Sequence, residues 1–275
     1  MASLKKFLQI IKIIIRNPGV LGYVYEQDNP TKNYVIKKYG LKHGLPTIDF
    51  LDLLPDFNET ITHYTALSHG SQISDYSLLK GLARKFKQCR YLEIGTWIGE
   101  SLVNVSSIAK ECISISMSDK ELQQTGSTKE GIMVQRMFTK NLSNVKHVMQ
   151  NSQTFDFSTI GKFDLVYVNG GNQYKEVKKD TENVFKILKD DNSIIIWHDY
   201  SNLTGNTILW RVFAGILDGC PKEKLSNLYH VSNTMCAIYI NKKLIGTEIP
   251  SQIPNKIFTI NISSEKIKDC SFTAI

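Results

Sequence analysis

From Asp75 onward the chain alternates short apolar runs with helical patterns, and that alternation leaves it few architectures. Residues 91–94, 113–117, 145–149, 163–168 and 193–197 are short and mostly apolar, as strands buried on both faces are. Residues 75–86 carry apolar side chains at i, i+3, i+4 and i+7, which predicts a helix, and 174–189 and 206–217 predict two more. Residues 228–231 and 235–240, separated by Ser232-Asn233-Thr234, read as a hairpin. The expected fold is α/β: a doubly wound, mostly parallel sheet of seven strands with a terminal β-hairpin and helices on both faces. Such a sheet takes its ligand beyond the carboxyl ends of its strands, where the strand order reverses.

Residues 1–74 are expected as a helical N-terminal extension, 75–241 as the α/β domain, and 242–275 as a tail with no assignment. Residues 3–16 combine apolar side chains with Lys5, Lys6, Lys12 and Arg16. That pattern is too short and too charged to span a bilayer. It suits a helix packed on its own domain or on a second subunit, hence an expected homo-oligomer, or peripheral membrane contact. Net charge is +7, but the lysines are scattered and form no basic stripe with interleaved aromatics, so no nucleic-acid partner is expected. Five widely spaced cysteines make no metal-binding pattern and fit a reducing cytoplasm.

At the end of the first domain strand stands Tyr91-Leu-Glu-Ile-Gly-Thr-Trp-Ile-Gly-Glu-Ser-Leu102. Gly95 and Gly99 let backbone approach a ligand closely. The spacing lacks the third glycine of a dinucleotide fingerprint, so it suits a nucleoside cofactor without a pyrophosphate, for which S-adenosylmethionine (SAM) is the candidate. Glu93, Gly95, Thr96, Trp97, Gly99 and Ser101 are the cofactor-binding candidates of this loop. After the second strand, Asp119 is placed to accept ribose hydroxyls, or alternatively to N-cap the next helix. After the third, Asn151 and Ser152 can meet the adenine edge or form an ordinary polar turn. After the fifth, His198 and Asp199 deliver an imidazole and a carboxylate to the ligand edge. His63, Tyr64 and the Ser68-His-Gly-Ser71 stretch can fold over the cofactor as a lid, or form a surface loop.

Taken together, residues 91–102, 163–174 and 194–200 resemble class I SAM-dependent methyltransferases, whose fold is Rossmann-like. Within that class they resemble the branch of macrocin-type sugar O-methyltransferases and cephalosporin-tailoring enzymes. The resemblance covers roughly residues 65–241 and implies SAM as cofactor and a small hydroxylic acceptor, such as a sugar. It also implies a divalent metal, such as magnesium, held by residues after the fourth and fifth strands, and a histidine base after the fourth.

The sequence departs from that pattern at the chemistry. Asn169 stands at the metal-binding aspartate and Asn172 at the histidine base. An amide takes up no proton near neutral pH. Asn169, which is also a cofactor-binding candidate, remains with His198 and Asp199 as the metal candidates, one ligand charge short, so metal binding is expected to be weak or absent. Asn172 and His198 are the catalytic candidates, with His198 as the substitute base. Three readings follow: a working methyltransferase, a non-catalytic SAM- or partner-binding module, and a dinucleotide oxidoreductase, against which the missing third glycine argues.

Overall fold

The computed structural model describes residue 11 and residues 29–66, 71–203, 205–249, 251 and 253–267. Apart from residue 11, the expected helix at 3–16 lies outside the described residues, as do Ser68, His69 and Gly70. Eight strands form one sheet: β1 (Thr47–Ile48), β2 (Arg90–Ile94), β3 (Glu111–Ser116), β4 (Val145–Met149), β5 (Leu165–Val168), β6 (Ile194–Trp197), β7 (Leu228–Val231) and β8 (Ala237–Ile240). Their order is β1-β7-β8-β6-β5-β2-β3-β4, and only β8 runs antiparallel to its neighbours β6 and β7.

The doubly wound sheet and its terminal hairpin are as expected, but among the described residues there are eight strands where seven are expected. The extra strand is β1, two residues from the N-terminal extension that pair in parallel with His230 and Val231. Two residues carry no periodicity, and Thr47 and Ile48 merge by pattern into the short helix that follows them.

The main helices are α1 (Asn29–Tyr39), α2 (Phe50–Leu53), α3 (Ile73–Ala83), α4 (Glu100–Ser106), α5 (Asp119–Gln124), α6 (Lys129–Met133), α7 (Tyr174–Lys186) and α8 (Trp210–Gly219). Strand residues alternate between two cores, one on each face of the sheet. Leu92, Val166 and Ile195 pack with α7 and α8, while Tyr91, Leu165 and Ile196 pack with α3 and α4. Both faces are therefore dry, which explains strands that read as continuous apolar runs. Among the described residues no helix is long and apolar enough to cross a membrane.

Besides the packing of buried Val35, one carboxylate gathers the polar contacts of helix α1. Asp218 of α8 accepts hydrogen bonds from Tyr34 (2.6 Å), Lys38 (2.7 Å) and Tyr39 of α1, and from Tyr174 of α7 (2.6 Å). Burial alone would raise its pKa, but these four donors outweigh burial and hold the carboxyl well below its ordinary range. Asp218→Asn is expected to lower hydrogen-exchange protection of α1 by about tenfold or more while the central strands keep theirs.

The C-terminal tail also has a place. Thr247 forms an antiparallel bridge with Thr47, and Lys256 and Asn255 reach Asp49 at 2.7 Å each. Phe258 packs edge-on against Phe50 and Phe57.

Candidate active site

Strand β2 lies between β3 and β5, and the chain winds away from it in both directions, so the strand order reverses at its carboxyl end. Gly95 turns the chain there with φ +84°, its amide on the Ile115 carbonyl and the Asn169 amide on Ile94. A Cβ at Gly95 would collide with the Asn169 carbonyl oxygen and stand 2.8 Å from the Gly170 Cα. Gly99, φ +92°, opens α4, and a Cβ there would press on Thr139 at 2.9 Å. Both glycines are therefore required by φ and by contact.

Beneath this loop Glu93 is fully buried and accepts hydrogen bonds from the Tyr91 hydroxyl (2.7 Å) and the Ser101 hydroxyl (2.9 Å). Burial pushes its pKa up to about 7 against those two bonds. Thr96 is buried and bonds Ser114. Glu93, Thr96 and Ser101 thus brace the loop from below through their side chains. Because the folded state binds the Glu93 proton more tightly than the unfolded chain does, its contribution to stability is greatest below about pH 4.5. It is lost as pH rises through about 7. Glu93→Gln is expected to remove a loss of up to about 3 kcal/mol between pH 5 and pH 8, read by urea unfolding at both pH values. Asp180 shifts in the same direction, so the variant is compared with wild type across that range.

At the end of β3, Ser118 caps α5 and forms a reciprocal box with Glu121. Asp119 is therefore not the N-cap. It is the first helical residue, 55% exposed, and Arg136 Nη2 lies 2.6 Å from its Oδ1. After β4, the Asn151 side chain accepts the Gln153 amide at 2.9 Å, a polar turn, and Ser152 lies beside it.

The loop after β5 and the end of β6 meet in a small cavity lined by Asn169, Gly170, Gly171, Asn172, His198 and Asp199. All the metal and catalytic candidates are thus brought together. The imidazole of His198 is enclosed: its side chain is 4% exposed, with Nε2 3.5 Å from Asp75 and Nδ1 3.2 Å from Asp199. Neither approach has hydrogen-bond geometry, so the pairing is ionic. Burial alone would lower the His198 pKa, but Asp199 and Asp75 outweigh it and raise it to about 10. The two flanking carboxylates favour the protonated ring, which weighs against His198 as a free base. Both ring nitrogens of His198 already face carboxylates and Asn169 offers only a neutral amide, so Asp199 is the one charged oxygen ligand of the expected three. The donor set does not fit a resident divalent cation. Among the described residues there is no group of three His, Cys, Asp or Glu side chains able to hold one.

Three residues here escape sequence reading. Asp75 accepts the Gln72 amide (2.7 Å) and the Met235 amide (2.8 Å) besides facing His198. In the sequence it looks like an ordinary first-turn acid. Asp180, buried on α7, accepts from Gln153 at 2.9 Å, and among the described residues its Oδ2 meets no hydrogen-bond donor in good geometry. Arg136 sits in an irregular turn with no periodicity to single it out. Of the lid candidates, Thr62 and His63 exchange bonds with Asn104 of α4 at 3.0 Å, and His63 packs on Phe138. Tyr64 packs on Tyr76, and Ser71 bonds Tyr167 at 2.9 Å. Residues 62–65 therefore lie along α4, beside the glycine loop.

Residues 92–200 match the family model of a methyltransferase domain. The matched stretch runs from β2 through His198 and Asp199, so it contains every strand end named above. No curated protein matches the chain. Solved structures similar to it include a SAM-bound amino pentose methyltransferase from Micromonospora echinaspora, at 14% identity over 46% of this chain and 48% of that one, with a TM-score of 0.33. A TDP-rhamnose 3′-O-methyltransferase of calicheamicin biosynthesis is similar at 12% identity, over 62% and 80% of the two chains, with a TM-score of 0.41. An N-methyltransferase from Bradyrhizobium japonicum is similar at 14%, over 60% and 92%, with a TM-score of 0.39. The chain spans about half the length of several such structures (52%, 48% and 52%).

Proposed function

We propose that the chain is a SAM-dependent methyltransferase acting on a hydroxyl of a sugar or another small polar acceptor. The observation that carries the reading is the glycine turn at the reversal of strand order, inside the segment that matches a methyltransferase domain. Asp119, exposed at the end of β3, fits the ribose hydroxyls, and the turn at Asn151 and Ser152 fits the adenine edge. SAM supplies a methyl group already activated on a sulfonium. The chain's own part is to bind, orient and exclude water, and in-line positioning of two reactants is worth ~7–11 kcal/mol. Asp199, 36% exposed in the cavity and held by His198, orients the acceptor by accepting its hydroxyl hydrogen bond, and because His198 holds this carboxyl below its ordinary range the proton passes on to solvent. The Asn172 amide orients the same group.

A second reading, a SAM-binding or partner-binding module without catalysis, is favoured by two specific observations. Asn172 cannot take up a proton and the His198 ring is enclosed by two carboxylates.

Calorimetry with S-adenosylhomocysteine (SAH), SAM and NAD separates these ideas. SAH binding with no NAD binding is expected, and a chain that binds neither SAM nor SAH loses the cofactor assignment. Methyl transfer gained only on Asn169→Asp with Asn172→His, and only with added magnesium, would support the module reading. Sedimentation tests the homo-oligomer, and flotation with anionic vesicles tests membrane contact through residues 3–16.

A further inference from the structure

Arg136 joins the two segments that the proposed cofactor would touch. Its backbone amide donates to the Trp97 carbonyl at 2.5 Å, and two residues on, the Phe138 amide donates to Ile98 at 3.1 Å. Thr139 fills the space against Gly99. Residues 136–139 therefore form a strap over the glycine loop. The side chain of Arg136 turns the other way. Its Nη2 lies 2.6 Å from Asp119 Oδ1, and Nη1 3.5 Å from Ser116 Oγ.

Three observations set this pair apart from a surface ion pair. First, the guanidinium is the buried partner, 7% exposed, and the carboxylate is the exposed one, at 55%. A buried, planar, five-donor group has little freedom, so it fixes the orientation of the group it holds. Second, the contact uses only Oδ1, and among the described residues no protein donor meets Asp119 Oδ2. With the Asp119 side chain 55% exposed, the second oxygen is open to a ligand's hydroxyls. Third, Arg136 (φ +60°) and Trp97 (φ +45°) both hold the left-handed conformation that non-glycine residues rarely adopt, and they are hydrogen-bonded to each other. Local strain of this kind persists only where the surroundings over-determine it, and it clusters at ligand sites.

We propose that Arg136 is a positioning residue for the nucleoside site. It aims the Asp119 carboxylate at the ribose diol while its backbone fixes the glycine loop at the matching distance. The proposal rests on the SAM reading above. It adds that ribose recognition belongs to the Arg136–Asp119 pair, with the arginine acting through the acid without touching the ligand.

The test is a double-mutant cycle on SAH affinity, measured by calorimetry on the full chain: wild type, Arg136→Gln, Asp119→Asn and the double variant. Arg136→Gln is expected to weaken SAH binding by at least tenfold. In the Asp119→Asn background it is expected to cost less than twofold, because the carboxylate it positions is gone. A purely structural role would give the same loss in both backgrounds. If glutamine unfolds the chain by circular dichroism, Arg136→Lys, which keeps the cation and the buried stem, is read in the same cycle. At least a threefold loss is then expected, again only when Asp119 is present. Equal losses in both backgrounds, or no loss, overturn the proposal and leave the cofactor reading standing. Wild type that binds no SAH overturns both.

Discussion

Gly95→Ala is expected to abolish measurable SAH binding and to destabilise the fold by roughly 3 kcal/mol or more. Two separate costs fall on that single methyl group. The backbone at φ +84° lies in the left-handed region that an L side chain resists. The new Cβ would also stand 2.6 Å from the Asn169 carbonyl carbon and 2.8 Å from the Gly170 Cα. Backbone is the obstacle in both places, so no side-chain rotation relieves it. The loop after β5 must move away from the loop after β2, and that opens the crevice where the cofactor is proposed to sit. Thermal unfolding and SAH calorimetry of the same sample should show both losses. Retained SAH affinity together with a lowered midpoint would mean that the ligand lies elsewhere.

Asp75→Ala is the second large effect, expected at about 3–5 kcal/mol because it breaks a buried ion pair and leaves its partner charged. The carboxylate has no exposed surface, and three elements depend on it: His198 at the end of β6, the Met235 amide leading into β8, and the Gln72 amide before α3. Asp75→Asn keeps the shape but has a single acceptor oxygen for two amides that reach different oxygens, so its cost combines one lost amide bond with the lost charge opposite His198. Urea unfolding of both variants at pH 7 gives the comparison. Near-wild-type stability for Asp75→Asn would show that the imidazole does not need the second carboxylate.

The fold was legible wherever burial wrote a period into the chain. Strands β4 and β7 begin and end where the apolar runs do, β2, β5, β6 and β8 differ from them by one or two residues at one end, and β3 differs at both. Strand β1 left no such mark, because a two-residue strand completes no repeat. The site was legible in position and less so in role. Strand-end logic brought Asn169, Asn172, His198 and Asp199 to one cavity. It could not show that the His198 ring is enclosed, since the enclosing Asp75 lies 123 positions upstream on a helix. Arg136 was invisible for a related reason: it acts from a turn whose shape comes from the loop beneath it.

The bridge between Thr47 and Thr247 bears on how copies of this chain behave when crowded. Strand β1 is one border of the sheet, and an unprotected border offers open amides and carbonyls to any passing strand. Thr247 donates to and accepts from Thr47 at 2.8 Å each, so the tail occupies those groups from within the same molecule. Lys256 pins the tail onward at Asp49. A chain ending at residue 241 would keep all eight strands yet lose this guard, and its solubility at high concentration would fall before its folded structure did.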